Sequence, residues 1–140
     1  MKKILLVLLI FGCSEDSSDS SHEVLIKISR RNTVIYYFGV IVNDNEVFAA
    51  TECGSSHQTA ELCVNFTESH LGGYAFNYDF SASKGDKIDV LVSPEDGCYA
   101  GVSAWLYVDN SLKESDSDPC EDEDCNDCCC SFIGFSYTVD

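Results

Sequence analysis

Residues 74–80 read Tyr74-Ala75-Phe76-Asn77-Tyr78-Asp79-Phe80, with aromatic and small or polar residues alternating without a break. A period of two puts Tyr74, Phe76, Tyr78 and Phe80 on one face of a strand and Ala75, Asn77 and Asp79 on the other. A helix would split the four rings between opposite sides of its surface. The same period returns at residues 102–108, where Val102, Ala104, Leu106 and Val108 share a face and Trp105 and Tyr107 take the other. Val24, Ile26 and Ile28 alternate with Leu25, Lys27 and Ser29, and Ile133, Phe135, Tyr137 and Val139 close the chain in the same rhythm. Thr33 to Val42, Glu46 to Ala50 and Ile88 to Val92 supply further β-branched or apolar runs. Turn residues separate them: Asn43-Asp44-Asn45, Ser83-Lys84-Gly85-Asp86 and Pro94-Glu95-Asp96-Gly97. About eight short strands with one apolar face each predict an all-β fold, an antiparallel β-sandwich of Ig-like type. Glu61 to Phe66 is ambiguous, with one helical turn over Gln58 to Val64 beside Cys63 as the alternative.

The first residues belong to something else. Met1-Lys2-Lys3 is basic and Ile4 to Phe11 is wholly apolar, the order of a secretory signal, and too short to span a bilayer. Ile10-Phe11-Gly12-Cys13 resembles the lipobox of bacterial lipoproteins, in which a small residue precedes the cysteine that becomes the lipid-bearing N-terminus. The acidic, serine-rich Ser14 to Ser21 resembles the tether of Bacteroidetes-type lipoproteins. The resemblance implies a signal peptide over 1–12, a flexible tether over 13–22 and one folded domain over 23–140. It also implies a membrane anchor through lipid on Cys13, at the bacterial outer membrane or cell surface.

Charge narrows the partners. The chain holds 8 basic and 24 acidic residues, a net of −16; loss of Lys2 and Lys3 with residues 1–12 takes the remainder to −18. Nucleic acid is excluded as a partner, since its phosphates require a basic surface. With Cys13 set aside, the 9 cysteines leave Cys53, Cys63, Cys98, Cys120, Cys125, Cys128, Cys129 and Cys130. An even number in a small exported domain predicts a disulfide-stapled fold. Bonds between adjacent members of the Cys128–Cys130 triplet are strained, so each is expected to pair outside it. A local Cys53–Cys63 loop would leave Cys98, Cys120 and Cys125 for the triplet.

From Tyr74 onward the chain resembles small exported β-sandwich proteins that include the mycobacterial MmpS-type accessory proteins. The residues that carry it are Phe80, Lys84-Gly85-Asp86-Lys87-Ile88 and the run from Val102 to Asn110. Asn110 stands where that group has glycine, and the cysteine-rich insertion has no counterpart. The resemblance implies a fold rather than an activity.

The densest chemistry lies in an acidic, cysteine-rich loop expected over 113–130. Asp116, Asp118, Glu121, Asp122, Glu123, Asp124 and Asp127 are hard oxygen donors of the kind calcium takes, though the spacing of an EF-hand is absent. Cys125 and Cys128 have the spacing of a thiolate metal site, but oxidising conditions would pair them first. His22 falls in the tether, and His57 and His70 fall in loops without a nucleophile motif. No catalytic residue is therefore assigned. Trp105 and Tyr107 are the candidate ligand contacts, because the other face of their strand already serves a core. The expectation is a non-catalytic binding or scaffolding lipoprotein whose partner is an exported protein or a glycan. A calcium-stabilised adhesion module is the alternative, and a small hydrolase the third reading.

Overall fold

The computed structural model describes residues 20–31, 33–55, 60–68, 73–94, 101–118 and 132–140. Among these residues every regular element is a strand. They are β1 (Ser21–Arg30), β2 (Ile35–Val42), β3 (Asn45–Glu52), β4 (Leu62–Val64), β5 (Thr67–Glu68), β6 (Tyr74–Ser83), β7 (Lys87–Pro94), β8 (Val102–Val108), β9 (Ser111–Asp118) and β10 (Ile133–Thr138). Two five-stranded sheets form, in the orders β5-β6-β1-β8-β9 and β10-β7-β2-β3-β4. The chain is a β-sandwich, as its alternation predicts.

Register explains why the alternation is so regular. β1 lies between β6 and β8, with Ile26 opposite both Tyr78 and Leu106. All three side chains face the second sheet, where Phe38, Val40, Ile88, Val90 and Val92 meet them in one core. The core is sorted by shape. Aliphatic residues of β1 and β8 face β2 and β7, while the rings of β6 reach β3 and β2: Phe48 stacks on Tyr78 at 4.1 Å between centroids, and Phe76 meets Phe38 edge-on at 6.0 Å. Such pairs add about 0.5–1.5 kcal/mol each beyond their burial.

Two hairpins turn on paired left-handed residues. Asn43 and Asp44 have φ of 49° and 63°, and Asp109 and Asn110 repeat those values. Positive φ at both central positions matches the right-handed twist of the strands, and Asn and Asp tolerate it better than other residues with a side chain. Asp109 further ties β1 to this turn by accepting the backbone N–H of Glu23 at 3.0 Å.

Several boundaries differ from the expectation. Ser21 and His22, assigned to the tether, begin β1, because His22 Nδ1 lies 2.7 Å from Asp109 Oδ2 and holds the strand against the β8–β9 turn. The loop expected over 113–130 starts later, since residues 113–118 form most of β9. Leu62–Val64 is a strand rather than a helical turn, and it pairs parallel to β3. The expected 33–42 strand begins at Ile35. The Cys53–Cys63 disulfide closes across the β3–β4 pair with its Cα atoms 4.9 Å apart. Cys13, Cys98, Cys120, Cys125, Cys128, Cys129 and Cys130 lie outside the described residues.

Candidate functional site

Inward-facing apolar side chains leave two outer faces, and chemistry has to be sought there. On the first sheet the outward positions of β1, β6, β8 and β9 align in rows. One row runs Asn77, Lys27, Trp105, Ser115, and the next runs Asp79, Leu25, Tyr107, Leu112. The second row follows a β-bulge after Leu106, which brings Leu112 opposite Tyr107. Trp105 and Tyr107 thus sit side by side on this face, both half-buried, as the alternation of their strand requires. Lys27 Nζ lies 4.9 Å from the centroid of Tyr107, so that ring already carries a cation–π contact. Leu112 is 53% exposed beside it. The face is a shallow platform: one indole, one cation-capped phenol and a border of amide, hydroxyl and carboxylate groups.

The other tyrosines of the strands lie apart from this platform. Tyr78 belongs to the interior ring stack. Tyr74 lies at one end, under the Arg30 guanidinium at 4.4 Å from its centroid. Tyr36 is half-buried in β2.

Tyr37 marks a second place, on the outer face of the other sheet. Its ring lies along its own strand over Gly39, where a Cβ atom would fall 2.3 Å from the hydroxyl oxygen. That hydroxyl donates to Glu46 Oε2 at 2.8 Å. Burial, then the hydrogen bond to Glu46 and its charge, push the phenol up to about 12, so it remains a proton donor across the physiological range. Tyr37, Glu46, Val47, Ala49, Glu61 and Leu62 line an open groove of about 450 Å³ between β2, β3 and β4. A bulge between Val40 and Ile41 leaves Val47 as the extra residue on β3, 46% exposed. The Cys53–Cys63 bond fastens β4, with Leu62, along the other wall.

A buried ion pair occupies the end of the sandwich near that disulfide. Arg30 Nη2 donates to Glu52 Oε1, and Glu52 Oε2 accepts the N–H of Ile35 at 3.0 Å. The pair joins β1 of one sheet to β3 of the other, with Phe66 and Tyr74 against the guanidinium. Arg30 Nε is buried without a hydrogen-bond partner among the described residues.

Ser20, His22 and Asp109 show the order of a hydroxyl, imidazole and carboxylate relay, with Ser20 Oγ 3.4 Å from His22 Nε2. That distance exceeds the roughly 2.6–3.2 Å at which a base abstracts a proton. Asp109 is also 55% exposed, where water competes for its charge. The arrangement fastens the start of β1.

Of the acidic loop, Asp116 and Asp118 are described. Asp116 is spent on the fold: Oδ1 accepts from Ser117 N at 2.9 Å and Oδ2 from Gly134 N at 3.0 Å, which bridges the two sheets between β9 and β10. Glu121, Asp122, Glu123, Asp124 and Asp127 lie outside the described residues, as do His57 and His70. Sequence reasoning missed the Tyr37–Glu46 groove and the Arg30–Glu52 pair. Comparison of the chain with protein-family models, with curated proteins and with solved structures finds no match.

Proposed function

We propose that the chain is a lipid-tethered, non-catalytic module that binds a neutral glycan on the outer face of β6, β1, β8 and β9. The observation that carries this reading is the placement of Trp105, the one tryptophan, on an outer sheet face rather than in the core. An indole face offers apolar area to the CH side of a sugar ring, and Lys27, Asn77 and Ser115 in the same row supply hydrogen-bonding groups for its hydroxyls. The net charge of −16 disfavours acidic polysaccharides. Support for the tether is the order of basic start, apolar run and Gly12-Cys13.

Trp105 also makes the test direct, because it is the sole indole reporter. Titration with cello-, xylo- and chito-oligosaccharides is expected to shift its emission with one member of the series. Trp105→Ala is expected to weaken binding of that sugar by about tenfold or more, measured by calorimetry. No emission change across the series would remove the glycan reading. Intact-mass measurement of the natural protein is expected to find an acylated Cys13 at the N-terminus, and an unmodified thiol there would remove the tether.

A further inference from the structure

The groove between β3 and β4 is separate from the Trp105 platform and lies on the opposite sheet. Its chemistry is mixed in a particular way. Val47 and Leu62, 46% and 47% exposed, present apolar surface to water. Glu46 and Glu61 stand with them on the lining, and the Tyr37 ring lies on the same outer face. Glu61 takes part in no hydrogen bond or ion pair among the described residues, and Glu46 is oriented by the Tyr37 hydroxyl. Two carboxylates and a phenol, with the apolar side chains of Val47 and Leu62 beside them, do not suit an anion or a plain hydrocarbon. They match a lysine or arginine side chain, whose methylene stem covers apolar surface while its charged head meets carboxylates and an aromatic ring.

We propose that this groove seats a lysine or arginine side chain from an extended basic segment of a partner protein. Charge selects the occupant: the whole chain carries −16, so a basic segment is drawn toward it from any side, and the groove supplies the local fit. A volume of about 450 Å³ holds one long side chain with its flanking residues. The walls are built into the fold, because the Cys53–Cys63 bond fixes β4 beside β3 and Gly39 leaves space for the Tyr37 ring.

The test separates local fit from general attraction. The probe is the peptide acetyl-Lys-Ala-Lys-Ala-Lys-amide, with its Nζ-acetylated form as the uncharged counterpart, titrated by calorimetry and by amide NMR shifts. Shifts are expected at residues 46–49 and 60–62. The double variant Glu46→Gln, Glu61→Gln keeps an acceptor for Tyr37 and is expected to weaken the lysine peptide about tenfold. The control Glu23→Gln, Glu114→Gln removes the same charge from the other sheet and is expected to change affinity by less than about twofold. Equal losses in the two double variants, shifts centred elsewhere, or equal binding of the acetylated peptide would each overturn the proposal. Glycan binding at Trp105 is untouched by any of these outcomes.

Discussion

Glu52 is a carboxylate inside a sandwich, 7% exposed, and it serves two partners at once. One oxygen meets the Arg30 guanidinium and the other accepts the N–H of Ile35. Removal of Glu52 would strand both, whereas removal of Arg30 leaves the carboxylate one of its partners. Glu52→Ala is therefore expected to cost more than Arg30→Met, with about 3–5 kcal/mol for the first and about 3 kcal/mol for the second, by urea unfolding. Equal or smaller losses for Glu52→Ala would show that Ile35 finds another acceptor. The pair was partly legible in the sequence. Arg30 continues the inward series Val24, Ile26, Ile28, and Glu52 continues Phe48, Ala50. Two opposite charges in phase with buried positions are the signal, but only the folded sheets show that they meet. Trp105 and Tyr107 were easier, since one strand's alternation places them outward without knowledge of any partner.

Among the elements, β9 shows where periodicity fails. Its sequence, Ser-Leu-Lys-Glu-Ser-Asp-Ser-Asp, holds one large apolar residue, and that residue, Leu112, is exposed. An edge strand buries little, so its composition resembles a loop, and β8 together with the Asp109-Asn110 turn defines it. Its charged residues also suit an edge that other chains must not extend. β2 makes the opposite case. Its β-branched and aromatic content announced a strand, but nothing announced that Gly39 would be roofed by Tyr37. Gly39→Ala forces the ring away, since the added Cβ meets the hydroxyl oxygen at 2.3 Å. The expected result is loss of the Tyr37–Glu46 hydrogen bond, and with it a fall of the phenol's ionisation from about 12 toward its ordinary value, read by ultraviolet titration. An unchanged titration would mean that the ring does not depend on the glycine.

On the scale of the whole molecule, the two ends of the sandwich are fastened by different means. The Arg30–Glu52 pair and the disulfide hold one end. At the other, Asp86 accepts the N–H of Ser83 at 2.8 Å and the amide of Asn43 at 2.7 Å, while Asp109 meets His22 and the N–H of Glu23. The Ser83 N–H and then Asn43 lower the Asp86 carboxyl below its ordinary value. His22 and then the Glu23 N–H do the same for Asp109. A lowered carboxyl contributes stability that is present above about pH 4 and lost as pH falls through the depressed value. The variant Asp86→Asn, Asp109→Asn is expected to unfold at lower urea near neutrality and to show a flatter decline as pH falls below about 4. An unaltered pH profile would mean that these turns do not set acid stability. The sandwich class was legible because β1, β6, β8 and β10 carry a period of two, while β2, β3 and β7 read as β-branched or apolar runs between turn residues. The pairing of strands was not, because Ile26 has no local cue that its neighbours are Tyr78 and Leu106.

That pairing has a consequence for how the chain comes into being. β1 is the first of the described strands to be made, yet it occupies the middle of its sheet, and its tie to the β8–β9 turn joins Glu23 to Asp109 across 86 positions. Neither flank of β1 can close until β6 and then β8 exist, so the order of synthesis runs against the order of assembly. Distant pairing of this kind makes folding slow, because long loops must close before their contacts reward them. On the proposed exported route, a chain built in this order would lock into shape only after β8 has followed β1 through.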